Sequence, residues 1–92
     1  MSENLLFRAL SDPSRREILR LLRDRDRTAG EIAERFDISK PSISHHLSLL
    51  KNARLVLDVR RGQNIVYSLN VTVFQEAVGF LLSILEKEKP RR

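Results

Sequence analysis

Apolar residues recur at helical spacing through most of the chain, and one segment in its second half alternates between apolar and polar residues instead. The most distinctive helical stretch covers residues 38–51, with the sequence ISKPSISHHLSLLK. Ser39 is its predicted N-cap, and Pro41 lies in the first turn, where a backbone N–H is not needed. The apolar stripe of this helix, at i, i+4 and i+7, consists of Ile43, Leu47 and Leu50.

The polar side of this helix has no carboxylate. Its side chains are short, polar and neutral or cationic, and they belong to Lys40, Ser42, Ser44, His45 and Ser48. A solvated helix surface normally mixes Glu with Lys, whereas this combination can approach an anionic surface closely and hydrogen-bond to it. We therefore interpret residues 38–51 as a DNA recognition helix, and we include Ser39 and Lys51 at its two ends among the DNA-binding residues.

Two helices are predicted near the start of the chain. Residues 3–10, ENLLFRAL, form a short helix that is apolar over much of its circumference and needs a cover, either its own core or a second copy of the chain. Residues 11–23 form the second helix, in which Asp12 or Ser11 is the cap and Pro13 takes the first helical position. Residues 24–27, DRDR, alternate in sign and are predicted to be a solvated connection.

Arg15 and Arg16 of the second helix have two interpretations. Each contacts either a DNA phosphate or a carboxylate of its own chain, the candidates being Asp12, Glu17 and Asp24. For both arginines we favour the pair within the chain.

A third helix leads into the recognition helix. It covers residues 28–36, TAGEIAERF, and Thr28 with Glu31 has the capping-box spacing. Residues 37 and 38 then turn the chain toward Ser39. A helix, a turn of about three residues and a second helix form the arrangement of a helix-turn-helix.

The alternating segment predicts a β-hairpin. Residues 55–60 place Leu55, Leu57 and Val59 on one face, and residues 65–69 place Ile65, Tyr67 and Leu69 on one face of the partner strand. A hairpin directly after a helix-turn-helix is a wing. Its tip either lies in solvent or reaches phosphates or a minor groove, through Arg60, Arg61, Gln63 and Asn64.

A final helix is predicted over residues 71–89, capped by Asn70 or Thr72, with apolar side chains over more than half of its surface. Such a helix suits an isologous homodimer, in which it and the first helix pack against their two-fold mates. The charged tail over residues 86–92 is predicted to fray. The predicted interface consists of Leu5, Leu6, Phe74, Val78, Leu81, Leu82 and Leu85.

These elements predict a single domain over residues 1–92, since a chain of this length is too short for two separate cores. Its fold class is mainly α with a β-hairpin wing (α+β). The element order is α-α-α-α-β-β-α, that of a winged helix-turn-helix whose N- and C-terminal helices form a dimer interface.

The net charge of +5 is distributed unevenly. Residues 1–39 contain equal numbers of basic and acidic residues, whereas residues 40–61 contain five basic residues against Asp58 alone. A basic stripe of this kind is typical of a protein that binds a polyanion. The alternative interpretation is a solvated basic surface that serves solubility.

The composition argues against several other classes of protein. With no cysteine, disulfides and thiolate metal sites are ruled out, which fits a cytoplasmic protein. No apolar run approaches 18 residues, and the N-terminus does not resemble a secretory signal. His45 and His46 are adjacent on a helix, so their side chains diverge by about 100° and cannot share a metal. Without a phosphate loop or nucleophile motif, we predict no enzyme activity, no cofactor and no small-molecule ligand.

Three blocks of sequence together carry a family resemblance: LSDPSRREILRLL at 10–22, TAGEIAERFDISKPSISHHLSLLKNARLV at 28–56 and RRGQNIVYSLN at 60–70. They resemble the ArsR family of bacterial winged-helix repressors, and within it the small autorepressors typified by the repressor of the sporulation-delaying-protein operon. The resemblance covers almost the whole chain. It implies a homodimer that binds a palindromic operator in double-stranded DNA and blocks transcription, often of its own operon.

The resemblance also assigns roles within the recognition helix. Ser44 and His45 match positions that face DNA in the family, and His46 matches a histidine that is packed partly inside and has a structural role. Lys40 stands where many members have Gln, so a contact to guanine or phosphate replaces amide readout of adenine.

The metal-binding residues of the family are missing from this chain. Residues 33–38 lack the cysteine pair, and residues 71–89 contain no His or Asp, so that only Glu76, Glu86 and Glu88 remain. We therefore expect no metal sensing. In the resembling subgroup, a membrane protein that sequesters the repressor is an alternative source of the signal. The competing function is a winged-helix interaction module that has lost DNA binding, which would carry acids on its recognition face.

Overall fold

The structure is a computed structural model that describes residues 2–87. The predicted order of helices and hairpin is confirmed, with one short strand added before the third helix. The elements are α1 (Glu3–Leu10), α2 (Pro13–Asp24), β1 (Arg27–Thr28), α3 (Ala29–Glu34), α4 (Lys40–Asn52), β2 (Val56–Arg61), β3 (Asn64–Leu69) and α5 (Val71–Leu85).

Side-chain caps start the helices where the sequence places them. The side chain of Asp12, not that of Ser11, accepts from the backbone N–H of Arg15 and caps α2. Thr28 and Glu31 form the complete capping box of α3, with both reciprocal hydrogen bonds present. Ser39 caps α4 by accepting from the N–H of Ser42. These caps pair backbone donors that a helix leaves free in its first turn.

The end of α4 is a Schellman turn. The N–H of Arg54 donates to the carbonyl of Lys51 at 2.9 Å, and the N–H of Leu55 donates to the carbonyl of Leu50 at 3.0 Å. Arg54 takes the left-handed conformation that this turn needs, with φ of 62°. Leu55 is thereby buried against the core before the first wing strand begins at Val56.

The sheet contains a strand that the sequence interpretation missed. Its order is β1-β3-β2, all antiparallel, and Arg27 of β1 lies opposite Tyr67 of β3. The prediction that residues 24–27 are only a solvated connection is therefore wrong at Arg27, which is 5% exposed and donates through Nε to the carbonyl of Leu21. The paired backbone and the satisfied guanidinium together make this burial stable.

The hairpin confirms the predicted wing but shifts its inward face by one residue. Leu57 and Val59 share one face of β2 as predicted, but both are exposed while Val56 is buried, and Leu55 lies before the strand and does not belong to that face. Because Leu55 belongs to the Schellman turn, the alternation of β2 begins one residue later. On the partner strand, Tyr67 and Leu69 pack against the core, whereas Ile65, the third residue of the predicted face, is exposed near the wing tip.

The wing ends in a two-residue loop between the paired residues Arg61 and Asn64. Gly62 takes a φ of 61° there, which is the positive φ that a type II′ hairpin turn requires at its first position.

One core lies between the helices and the base of the wing. Its fully buried side chains are Leu6, Ile18, Ile32, Ile43, Leu47, Leu50, Leu55 and Val56. Leu6 is 1% exposed, so its assignment to the dimer interface is corrected: it is a core residue of the single chain.

Helix α5 contributes little to this core. Only Val73 and Ala77 of α5 are buried, and Phe74 is partly buried against the core. The helix ends at Leu85, four residues before the predicted end at residue 89. Residues 88–92, including most of the tail predicted to fray, lie outside the described residues.

Within residues 2–87, no helix is long and apolar enough to cross a membrane.

Candidate nucleic-acid interface

Helix α4 separates its two faces as its sequence predicts. Ile43, Leu47 and Leu50 are at most 1% exposed and anchor the helix in the core. All of the predicted DNA-facing side chains of α4 and its cap lie on the protein surface: Ser39, Lys40, Ser42, Ser44, His45, Ser48 and Lys51. The exposed face of α4 therefore presents hydroxyl, imidazole and ammonium groups and no carboxylate.

The first turn of α4 is held by its two serines. The hydroxyls of Ser39 and Ser42 lie 3.1 Å apart, and the Ser39 hydroxyl also accepts from the N–H of Ser42. This arrangement fixes the chain direction at the helix N-terminus, where the macrodipole favours an anion. The neighbouring Lys40 is exposed and adds a full positive charge at the same end.

The two adjacent histidines of α4 face different surroundings. His45 is exposed, whereas the His46 side chain is only 16% exposed, and their ring centroids lie 6.2 Å apart. His46 Nδ1 lies 3.2 Å from Nη1 of Arg15 and 4.0 Å from Oδ2 of Asp12. Its contacts are thus with α2 and the α2 cap, in keeping with a structural role, while His45 is free to meet a ligand.

The two arginines at the start of α2 both bond within the chain, but to carbonyls and not to the carboxylates that we considered. Arg15 is 8% exposed and donates to the carbonyls of Ala9 and Arg8 at the end of α1. Arg16 is exposed and donates to the carbonyl of Leu10 at 2.7 Å. The predicted carboxylate partners are wrong for both arginines, whose guanidinium groups bond to carbonyls of their own chain, and the alternative of a phosphate contact by the exposed Arg16 stays untested.

Asp12 stays ionised beside this cluster. Burial raises the pKa of its carboxyl, but the backbone N–H groups of Arg15 and Ser14 and the charge of Arg15 outweigh burial and lower the pKa below its usual value. Its Oδ2 lies 4.0 Å from Nδ1 of His46. The negative charge of Asp12 therefore lies beside the positive charge of Arg15 at the junction between α2 and α4.

A salt bridge connects the end of α4 to the wing. Lys51 Nζ lies 2.9 Å from Oδ2 of Asp58 on β2, and this hydrogen bond and charge raise the pKa of Lys51. Tyr67, opposite Asp58 in the sheet, has its pKa raised by burial and by the Asp58 charge. Lys51 was predicted as a DNA contact alone, and the structure adds a bond that ties recognition helix and wing together.

Asp58 is the residue of this site that sequence reasoning missed. It entered the prediction only as one negative charge, although it is the sole acid between residues 40 and 61. An isolated acid in a basic stripe, on a strand that follows a lysine by seven residues, was the available indication of a pair.

The wing tip keeps its cations available. Arg60, Arg61, Gln63 and Asn64 are all exposed. Among the described residues, the ion pairs of α2 and α3 join Arg20 to Glu17, Arg23 to Asp24 and Arg25 to Glu31. No such pair within residues 2–87 involves Lys40, Arg60 or Arg61.

The order of elements recurs in known regulators. The model of the arsR family of bacterial regulatory proteins matches residues 12–57, from the α2 cap to the second residue of β2. The transcriptional repressor SdpR of Bacillus subtilis (strain 168) is 56% identical over 84 residues, which cover 91% of this chain and 93% of SdpR.

Two further comparisons agree. An arsenical resistance operon repressor of Staphylococcus xylosus is 40% identical over 65 residues, covering 71% of this chain and 62% of that protein. The crystal structure of an ArsR family transcriptional regulator superposes with a TM-score of 0.83 at 27% identity, covering 89% of this chain and 90% of the other.

These findings confirm the predicted fold class, and they confirm that the protein is a DNA-binding regulator and not an enzyme. The predicted likeness to the SdpR group is also confirmed, since SdpR aligns along nearly its whole length. This protein belongs to the ArsR family of bacterial regulatory proteins.

Proposed function

We propose that this protein is a homodimeric transcriptional repressor that binds a palindromic operator, represses its own gene in the cytoplasm and does not sense metal. The observation that carries the proposal is the exposed polar face of α4, which is free of carboxylates while the opposite face is fixed in the core. A helix held in this way can enter the major groove without repelling the phosphates on either side.

Within α4, we assign sequence readout to Ser44 and His45. Both are exposed in the middle of the helix, away from the caps, and both can hydrogen-bond to base edges. We assign phosphate contacts to Ser39 and Lys40 at the helix N-terminus and to Arg60 and Arg61 of the wing, all of which are exposed. Such contacts position a protein on DNA without reading its sequence.

The dimer is proposed from the apolar surface that the single chain leaves uncovered. On α5, Val78, Leu81, Leu82 and Leu85 are between 49% and 78% exposed. Leu5 and Phe7 of α1 are also exposed, and the ring of Phe7 lies 6.1 Å from that of Phe80, so the apolar surface continues from one helix to the other. Large exposed apolar surfaces of this kind mark association sites.

The proposal that metal is not sensed rests on the donor set. The chain has no cysteine, and within residues 2–87 no three potential His, Asp or Glu ligands come together. Carboxylates alone suit Zn²⁺ and softer ions poorly. A membrane protein that sequesters the repressor stays a prediction from the resemblance to the small autorepressors.

DNA binding is tested with the region upstream of the protein's own gene. We expect footprinting to show a palindrome whose half-sites lie about 10 bp apart, one turn of DNA. Affinity should fall steeply as salt is raised, because each phosphate contact releases counterions. An absence of salt-dependent DNA binding by the purified protein would overturn the repressor assignment and favour the interaction module.

The assignment of readout is tested by the double variant Ser44→Ala/His45→Ala. It should reduce the preference for operator over random DNA by about tenfold or more, since each lost base contact contributes about 1–3 kcal/mol of discrimination. Total binding to random DNA should change much less. Gln75→Ala, an exposed polar position on α5, serves as the control. Equal losses on operator and random DNA would make α4 a phosphate clamp only.

A further inference from the structure

Arg15 is buried in a way that needs several partners at once. The residue is 8% exposed, and its Nε and Nη2 donate to the carbonyls of Ala9 and Arg8 at 2.8 and 2.9 Å. These carbonyls lie at the end of α1, where a cation is favoured, and the carbonyl of Arg8 also accepts from the backbone N–H and the hydroxyl of Ser11. The guanidinium of Arg15 and the C-cap Ser11 therefore close the C-terminus of α1 together.

The third nitrogen of the same guanidinium, Nη1, contacts the recognition helix. Nη1 of Arg15 lies 3.2 Å from Nδ1 of His46 on α4. A guanidinium has only donors, so Nδ1 of His46 is the acceptor in this contact. Asp12 Oδ2 lies 4.0 Å from the same Nδ1. One side chain of α2 thus holds the end of α1 and a ring in the middle of α4.

We propose that Arg15 is a positioning residue for DNA binding, which fixes the orientation of the recognition helix relative to α1 through the bond to His46. The inference rests on the proposed function, in which α1 belongs to the dimer interface and α4 reads the operator. In that dimer, the bond connects the element that sets the separation of the two subunits with the element that enters the groove.

Apolar packing and this bond restrain α4 in different ways. Leu6 and Ala9 of α1 and Leu47 of α4 belong to the same core, which holds the two helices together, but the hydrophobic effect itself has no direction. A hydrogen bond weakens steeply when its angle changes. The bond between Arg15 and His46 therefore restricts the rotation that decides which way Ser44 and His45 point.

The main alternative is that His46 touches DNA itself. Its side chain is 16% exposed and its Nδ1 is occupied by Arg15, which leaves Nε2 as the group that would face a ligand. The two roles use different ring nitrogens, so they can be separated by substitution. An asparagine places its amide oxygen near the position of Nδ1 and has no group in the place of Nε2.

The experiment compares His46→Ala with His46→Asn. We expect His46→Ala to weaken operator binding by about tenfold, the loss of one hydrogen bond to a charged group, while the dimer persists in sedimentation. His46→Asn should restore affinity to within about twofold of the natural protein. If His46→Asn binds as weakly as His46→Ala, or if His46→Ala binds as tightly as the natural protein, the proposal is wrong.

A second comparison isolates Arg15. Arg15→Lys keeps the charge but loses the fork that reaches α1 and α4 together. In the Arg15→Lys background, adding His46→Ala should weaken operator binding no further, because the bond is already absent. If the losses of operator affinity caused by Arg15→Lys and His46→Ala are fully additive, the two residues do not act through a shared bond and the proposal is contradicted.

Stability is followed in parallel so that misfolding is not mistaken for lost positioning. Thermal unfolding and circular dichroism are recorded for each variant, and if His46→Ala does not fold, His46→Gln replaces it, since its longer side chain carries the amide oxygen past the Nδ1 position. Failure of the natural protein to bind any operator would refute the proposed function, whereas normal binding with indifferent His46 variants would refute only the role of Arg15.

Discussion

At the scale of single residues, Asp12 shows how one carboxylate serves two neighbours. It caps α2 by accepting from the backbone N–H of Arg15 at 3.1 Å, and it lies 4.0 Å from the ring of His46. The cap satisfies a backbone donor that would otherwise be unpaired, and the charge offsets that of Arg15. Its contribution to stability should therefore depend both on the side chain and on its ionisation.

Asp12→Ala is expected to lower the free energy of unfolding by about 1 kcal/mol through loss of the cap, and so to lower Tm by about 4–8 °C for a domain of this size. Asp12→Asn is the control, because it keeps a capping oxygen and should retain most of the stability. Both are measured at one protein concentration, since association changes apparent stability. Equal losses in the two variants would show that the charge, and not the cap, matters.

The ionisation of Asp12 gives a second measurable difference. Because its pKa is lowered in the folded protein, the charged form stabilises the fold fully above the ordinary value of 3.8, and this stabilisation is lost as the pH falls below that value. Any excess in the free energy of unfolding of the natural protein over Asp12→Asn at pH 7 should therefore become smaller as the pH is lowered. An advantage that persists well below pH 3.8 would contradict this origin.

Residue-scale predictions from sequence succeeded where the contact is local. Ser39 and the pair Thr28–Glu31 cap their helices through bonds across three residues, and the spacing alone reveals them. The partners of Arg15 and Arg27 could not be predicted from the sequence, because both side chains bond to backbone carbonyls, which every residue carries. In addition, Arg15 contacts His46 across 31 positions of sequence.

At the scale of elements, the turn after α4 decides how the wing faces the core. Its Schellman geometry buries Leu55 and starts β2 at Val56, so that Val56 faces the core while Leu57 and Val59 face away from it. The sequence offered no Gly at this turn, the residue that usually marks one. Instead Arg54 takes the left-handed conformation. Because this turn could not be recognised from the sequence, the residues of β2 that face the core could not be predicted.

Arg54→Gly is expected to stabilise the protein by about 0.5–1 kcal/mol, the relief of a left-handed non-glycine residue less the extra freedom of Gly in the unfolded chain. Arg54→Ala is the matched control, because it removes the same side chain and keeps the backbone cost. Chemical denaturation of the three proteins distinguishes them. A Gly variant no more stable than the Ala variant would mean that the turn relaxes in solution.

At the scale of the whole molecule, the chain is elongated, and its own core leaves most apolar side chains of α5 exposed. Its principal extents are 58 × 25 × 20 Å and its radius of gyration is 15.6 Å, larger than the value of about 13 Å for a compact domain of 100 residues. Composition and helical periodicity sufficed to predict an apolar α5. They did not show that Leu6 belongs to the single-chain core, because both faces of α1 are apolar.

Leu81→Asp is expected to convert the proposed dimer into a monomer and to weaken operator binding at least about a hundredfold, because each half-site contact is then made alone and a buried unpaired charge opposes association. Ser83→Asp, which adds the same charge at another exposed position of α5, should leave the dimer intact. Sedimentation and operator titration are read together. A dimeric Leu81→Asp variant would move the interface elsewhere.

The salt bridge between Lys51 and Asp58 has a consequence for how the protein recognises an operator half-site. The wing is joined to α4 at two separate points, the Schellman turn through residues 53–55 and this salt bridge. A single connection would act as a hinge, whereas two connections define an angle. The distance between the groove contacts proposed for α4 and the phosphate contacts proposed for Arg60 and Arg61 is then set before DNA is bound. Such a protein discriminates by the fixed spacing of its contacts and gives up less entropy when it binds.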